Sequence, residues 1–408
     1  MLNQDTLREA TRLTQAGQLT EATALLQRMF RGETAPAAAS RTPDRIRLPG
    51  RTPPTIDVKV NDVDKPDLIA PAETPIATPR RRRPLLDRAK DGTWLGLRGV
   101  KPTPASIADI VPQGAKFIEG TYSNAAGSRS YKLFLPSGYQ GQPLPLIVML
   151  HGCTQSPEDF AAGTRMNLVA EEQSCFVVYP AQRSDANPSK CWNWFRSADQ
   201  RRDEGEPSLI AGITRQVMQD YSVDPGRVYV AGLSAGGAAA AIMGTTYGDL
   251  YAAVGIHSGL ACGAATDIPS AFAAMRGGGA GRHAARVGPR LPSIIFHGDR
   301  DSTVHPDNGV EALEQAIGAT KTQTKVHRGQ IPGGRGFTRT THADGERDIL
   351  EHWNIHGAGH AWAGGSSAGS YTDPQGPNAT KEMLRFFLEN PRPGGQARGR
   401  NAADGAAA

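Results

Sequence analysis

The segment Val228–Gly237, VYVAGLSAGG, constrains this chain more than any other stretch. An apolar run rich in valine enters a turn of small residues, and the helical pattern AAAAIM leaves it. The glycines let such a turn close without clashes, which pushes the serine hydroxyl up and out between a strand and a helix. The helix N-terminus also favours negative charge nearby. The pattern G-x-S-x-G is a weak signal alone, because any glycine-rich turn can carry it. Its place between a strand and a helix makes Ser234 a candidate nucleophile.

The flanking sequence supports an alternation of strands and helices. Tyr131–Leu135, Leu146–Leu150, Phe176–Tyr179, Val228–Ala231, Ala253–Ile256 and Ser293–His297 read as strands. Several are continuous apolar runs, as in a sheet covered on both faces. Glu158–Glu172, Leu209–Asp220, Ala235–Tyr247, Asn308–Ala316 and Ala379–Glu389 read as helices. This order predicts an α/β fold with a mostly parallel central sheet flanked by helices, over residues 113–390. Residues 275–288 read as a mobile insertion.

The rest of the chain has a different character. Residues 1–33 place Leu7, Leu13, Leu25 and Leu26 at helical spacing around Gly17, which predicts a small helical hairpin. Twelve of the 30 prolines fall between residues 34 and 105. Residues 34–112 therefore read as an extended, mostly disordered linker. Residues 391–408 read as a disordered tail. A hydrophobic content of 38% fits a chain that packs only in part. The net charge of +5 is too small to imply nucleic acid, and the Arg80–Arg83 run reads as a solvated cluster.

A serine hydroxyl needs a base beside it. Downstream, IIFHGDRDSTV places Asp299 and Asp301 in a loop after an apolar strand. Either carboxylate is able to orient a histidine. HWNIHGAGHAWAGG offers His352, His356 and His360. His360 lies in a glycine-rich loop, where an imidazole can swing towards a site, while His352 and His356 lie in a strand-like run and read as structural. The order Ser, Asp, His is that of α/β-hydrolases. An oxyanion needs donors as well. LIVMLHGCTQ ends a buried strand at His151-Gly152-Cys153, where a backbone N–H can pair with that of Ala235. His151 reads as a supporting group, and His257 and His297 as core or loop. There is no H-E-x-x-H or C-x-x-C spacing, so no metal and no cofactor are expected.

LHGCTQ, CWNWF at 191–195, GLSAGG, HGDRDSTV and GHAWAGG occur in this order. Together they closely resemble the polyhydroxybutyrate (PHB) depolymerase family of esterases over roughly residues 113–390. The resemblance implies Ser234, Asp301 and His360 as the triad, with the Cys153 and Ala235 amides as oxyanion donors. It prefers Asp301 to Asp299, because Asp301 lies three residues after the glycine of the motif. It implies an ester substrate, with hydroxyalkanoate polymers or oligomers first and feruloyl or acetyl-xylan esters as the alternative. Trp192 and Asn193 of CWNWF, and Trp362, are candidate substrate contacts. For the aromatic cluster an acyl pocket and a core fit equally well. If a disulfide forms, Cys153 and Cys191 are the favoured pair, with Cys175 a buried thiol.

A rival reading from another class makes the chain a non-catalytic module attached through residues 1–90 to a granule, membrane surface or protein, with residues 1–33 as the docking element. No stretch reaches the ~20 apolar residues of a membrane span. MLNQDTLREATRL has no basic and apolar leader pattern, so a cytoplasmic location is expected, and an extracellular one is the alternative suggested by the resemblance.

Overall fold

The computed structural model describes residues 110–277 and 290–392. The expectations for residues 1–33, for the linker up to residue 109, for 278–289 and for the tail from residue 393 lie outside the described residues.

One ten-stranded sheet organises the molecule, in the order β1-β2-β4-β3-β5-β6-β7-β10-β9-β8. Its middle is parallel: β4 (Phe176–Pro180), β3 (Leu144–Leu150), β5 (Val223–Leu233), β6 (Ala253–His257), β7 (Ser293–Gly298) and β10 (Arg347–Ile355). Antiparallel strands close both margins, with β1 (Lys116–Asn124) and β2 (Gly127–Leu135) on one side and β9 (Gly336–Asp344) and β8 (Gln323–Gln330) on the other. This is the α/β architecture with a mostly parallel sheet that the alternation of elements predicts, and the α/β-hydrolase fold that the resemblance implies.

The apolar runs have a simple cause. Every residue of β3, β4, β6 and β7 is buried, because helices cover both faces. Alternate side chains feed two separate cores. Leu144, Leu146, Val148 and Leu150 of β3 pack with α3 (Gly205–Asp220), α4 (Ala235–Thr246) and α6 (Asp307–Ile317). Ile147 and Met149 face the other way, towards α1 (Pro157–Thr164), α2 (Met166–Glu172) and α7 (Ala379–Glu389).

Three features differ from expectation. The helix expected over Glu158–Glu172 is two helices, broken at Arg165 in the left-handed region at φ 55°. There the chain is crossed by a distant segment: Ser366 N–H donates to the Gly163 carbonyl at 2.8 Å. The strands β1, β8 and β9 carry weak hydrophobic signals, and nearly every residue of β8 is exposed. A short helix, α5 (Ile268–Gly277), begins before the expected insertion and takes in its first residues.

Candidate active site

Strand β5 lies between β3 and β6 and ends at Leu233. Ser234 follows at φ 58° and ψ −120°, and α4 starts at Ala235. A side chain at either flanking glycine is impossible without moving backbone. A Cβ on Gly232 would stand 2.2 Å from the Gly236 carbonyl oxygen, and one on Gly236 would stand 2.0 Å from that of Leu150. The turn is pinned from below, where Ser234 N–H donates to the His257 carbonyl at 2.9 Å. The serine hydroxyl makes no capping hydrogen bond to its helix. A strained backbone that presents an unengaged hydroxyl at the head of a helix suits a nucleophile.

Parallel pairing of β7 with β10 sets Gly298 opposite Ile355 and brings the loops after both strands together. They touch closely: a Cβ on Gly298 would lie 2.4 Å from the Ala358 carbonyl oxygen, and Arg300 N–H donates to that oxygen at 3.0 Å. Asp301 and His360 meet there, with Oδ2 2.7 Å from Nδ1. Asp301 is 3% exposed. Its Oδ1 accepts from the Thr303 and Val304 amides, both at 2.9 Å. Burial alone would raise this carboxyl, but hydrogen bonds from His297 and His360, and from the Val304 amide, hold it well below the ordinary carboxylate range. An ionised Asp301 accepts a hydrogen bond from His360 Nδ1–H, which keeps that proton on Nδ1 and leaves Nε2 as the basic nitrogen.

A second carboxylate–imidazole pair lies beside the first. Asp299 Oδ2 is 3.2 Å from His356 Nδ1, and the His356 Nε2 is 3.0 Å from Thr338 Oγ1. Both nitrogens of this ring are engaged, and its hydroxyl partner sits in strand β9 rather than on a turn. Asp299 also accepts from Gly357 N–H at 2.7 Å, so it braces the start of the His360 loop.

The HGCT turn adjoins the serine across β3 and β5, where Leu150 pairs with Gly232. A Cβ on Gly152 would lie 3.6 Å from Ser234 Cβ. Gly152 N–H donates to Gln155 Oε1 at 2.9 Å, Thr154 N–H to the Ser189 carbonyl at 2.7 Å, and Gln155 N–H to the Gly152 carbonyl at 3.4 Å. The Cys153 amide takes no acceptor among the described residues. Ala235 opens its helix, where the first amides have no intrahelical partner. Ala235 follows the serine directly, and Cys153 follows Gly152, which lies against it. Cys153 is joined to Cys191 by a disulfide, and Cys175 is a buried thiol.

His151 supports this turn. Its Nε2 accepts from Gln182 N–H at 3.1 Å, so the proton is on Nδ1, which donates to the Gly152 carbonyl at 2.7 Å. Burial lowers its imidazole to about 4. An unfolded imidazole titrates near pH 6.5. The folded value is depressed, so unfolding takes up a proton between about pH 6.5 and 4, and the stability this group contributes is lost as the pH falls through that window. The slope for one such group approaches about 1.4 kcal/mol per pH unit. Urea unfolding of the wild type and of His151→Gln between pH 7 and pH 5 checks this. The variant should be the less pH-dependent, and parallel curves would refute the assignment.

The three candidate substrate contacts are all inside, which for the CWNWF cluster is the core alternative of the two left open. Trp192, Asn193 and Trp362 are 0%, 2% and 1% exposed, so none lines an open cleft. Trp362 stacks on His257, with centroids 5.0 Å apart, and its Nε1 donates to Thr380 Oγ1 at 2.9 Å. Trp192 Nε1 donates to the His151 carbonyl at 3.1 Å. Asn193 gives both its backbone N–H and its Nδ2 to Glu206, at 2.7 Å each. Trp362 opens the short strand β11 (Trp362–Ala363), both of whose residues are buried. Glu206 carries no local signal in the sequence. It is buried and binds Asn193, Gln182 and Arg129, while burial and the neighbouring Asp199 raise its carboxyl.

Comparison with known proteins adds relatives to this geometry. Residues 129–319 match the family model described as Esterase PHB depolymerase. That span holds Cys153, Ser234 and Asp301 and ends before His360. The chain is 33% identical over 237 residues to poly(3-hydroxyalkanoate) depolymerase C of Paucimonas lemoignei, covering 55% of this chain and 56% of that one. It is 26% identical over 268 residues to poly(3-hydroxybutyrate) depolymerase of Ralstonia pickettii, covering 60% and 54%. The chain thus spans little more than half the length of these two relatives. Feruloyl esterase B of Neurospora crassa is 27% identical over 282 residues, covering 65% of this chain and 89% of that one. Among solved structures, acetyl xylan esterase from Aspergillus awamori superposes with a TM-score of 0.52 at 18% identity, over 67% of this chain and 99% of that one. That likeness is one of fold.

Proposed function

We propose that this protein, whose residues 129–319 match the Esterase PHB depolymerase family model, hydrolyses carboxylic esters through an acyl-enzyme on Ser234. One observation carries the proposal: the buried 2.7 Å contact of Asp301 with His360, in loops at the same sheet end as the Ser234 turn. His360 Nε2 takes the Ser234 proton as Oγ attacks the ester carbonyl. The Cys153 and Ala235 amides receive the oxyanion. Asp301 holds the tautomer and stabilises the imidazolium. The imidazolium then protonates the leaving alcohol, and water attacks the acyl-enzyme by the same route.

The substrate class follows the named relatives. Two of them are poly(3-hydroxyalkanoate) and poly(3-hydroxybutyrate) depolymerases, which favours hydroxyalkanoate esters, as polymer or oligomer. The Cys153–Cys191 bridge favours an oxidising compartment over the cytoplasm expected from the first residues. Among the described residues no helix is long and apolar enough to cross a membrane.

A substrate panel tests this reading. The full chain should turn over p-nitrophenyl esters of short acids and release hydroxy acids from 3-hydroxybutyrate oligomers. Amorphous polyhydroxybutyrate and methyl ferulate complete the panel. Faster turnover of methyl ferulate than of the oligomers would overturn the hydroxyalkanoate assignment, and no ester turnover at all would overturn the esterase reading.

A further inference from the structure

We propose that Cys191 is a positioning residue for the oxyanion site. Its disulfide to Cys153 aims the Cys153 amide, so opening that bond slows turnover while substrate binding persists. The inference rests on the esterase reading above and concerns the same site.

The local bonds of the turn that carries the Cys153 amide end on Gly152 and leave Cys153 and Thr154 to be fixed from elsewhere. Thr154, a β-branched residue, sits at φ 66°. Such a residue in the left-handed region persists only when its surroundings over-determine it. Beside the contacts of the Thr154 hydroxyl with the Cys153 carbonyl and the Tyr371 hydroxyl, two ties run to the same short segment. Thr154 N–H donates to the Ser189 carbonyl at 2.7 Å, and Cys153 is bonded to Cys191. Lys190 between those anchors is itself left-handed, at φ 51°.

That segment is a firm anchor because buried groups hold its far side. Gln182 Nε2 donates to the Cys191 carbonyl at 2.9 Å. Trp192 is bonded to the His151 carbonyl, and Asn193 makes two hydrogen bonds to the buried Glu206 carboxylate. The same Gln182 binds Glu206 through its side chain and His151 through its backbone. The disulfide is the covalent link between this network and the amide that would receive the oxyanion. Without it the hydrogen bonds from Thr154 N–H to the Ser189 carbonyl and from Trp192 to the His151 carbonyl are left between this segment and the turn, and neither ends on Cys153 itself.

Both bridge cysteines are half-buried, unlike Cys175 and Cys262, so a small dithiol can reach the bond. A thiolate of the reductant attacks one sulfur and forms a mixed disulfide. Its second thiolate then closes a cyclic disulfide, releasing Cys153 and Cys191 as two thiols. The dithiol is oxidised by two electrons and the bridge is reduced by two.

Removing one oxyanion donor costs about 10²–10³-fold in turnover. Misaiming one should cost less, about 10–100-fold in kcat, with KM changed by no more than about two-fold. The test compares the full oxidised chain, the same protein reduced with dithiothreitol, and Cys191→Ser, all assayed well below their unfolding temperatures and checked by circular dichroism. A trifluoromethyl ketone, which adds to the serine and places an oxyanion in the hole, should lose affinity by the same factor as kcat. Reoxidation should restore both. A merely structural bridge would lower the unfolding temperature and leave kcat and inhibitor affinity within about two-fold, which would overturn the proposal. If Cys191→Ser does not fold, the reduced wild type decides. Oxidised protein that shows no Ser234-dependent turnover would overturn the esterase reading and this inference with it.

Discussion

Ser234→Ala is expected to remove essentially all ester turnover, a loss of about 10⁶-fold in kcat if serine, histidine and aspartate act as a unit. The residual rate should be that of an oxyanion site and a binding cleft without a nucleophile. The fold should survive, because the serine hydroxyl makes no capping bond and alanine adds no atom beyond the Cβ already present. The left-handed backbone at this position is no better suited to alanine, so a modest stability change is expected on those grounds. Active-site titration with a chromogenic ester checks the prediction, since the wild type should release a burst of alcohol product and the variant none. Wild-type turnover in the variant would show that another group is the nucleophile and would remove the basis for the assignment of Ser234.

The second large effect separates the two neighbouring carboxylates. Asp301→Asn should cost about 10⁴-fold, because an amide no longer demands the Nδ1 proton and the basic nitrogen is lost from the Nε2 side. Its Oδ1 can still accept from the Thr303 and Val304 amides, so the loop should keep its shape. Asp299→Asn should cost no more than about ten-fold. Asp299 braces Gly357 and pairs with His356, and an asparagine oxygen retains the first of these bonds. Steady-state kinetics on one soluble ester decide between the two. A larger loss in Asp299→Asn would transfer the acid role to the Asp299–His356 pair. The Asp301 carboxyl lies well below the ordinary range, so it stays ionised through mildly acidic pH. The stability it contributes is fully present above the unfolded value of about 3.9 and is lost as the pH falls through its lower folded value.

The turn around Ser234 was legible in the sequence because its signature is local, although the crowding at Gly236 comes from the Leu150 carbonyl of β3. Backbone sterics demand glycine at 232 and 236, an apolar run precedes them and a helix former follows. The buried strands were legible for a related reason, since a sheet covered on both faces leaves continuous apolar runs. Asp301 and His360 stood among five candidates in two segments, and no local pattern separated Asp301 from Asp299. Their pairing depends on β10 entering the sheet beside β7 and on the register that sets Ile355 against Gly298. A shift there would change which carboxylate faces which imidazole.

The same distinction explains the substrate-contact residues. An aromatic cluster has one composition whether it faces a cleft or a core, and only the packing of the chain turns Trp192, Asn193 and Trp362 inward. The break at Arg165 depends on a segment some 200 residues further along, and the exposed strand β8 has no apolar face by which it could be read. By itself the sequence determined what steric exclusion and burial impose on neighbouring residues: the elements, their alternation and the turn that carries the serine. The tertiary structure alone decided which distant groups meet. The Asp301–His360 contact and the Cys153–Cys191 bridge join residues 59 and 38 positions apart, and their energies exist only once the sheet has set their distances.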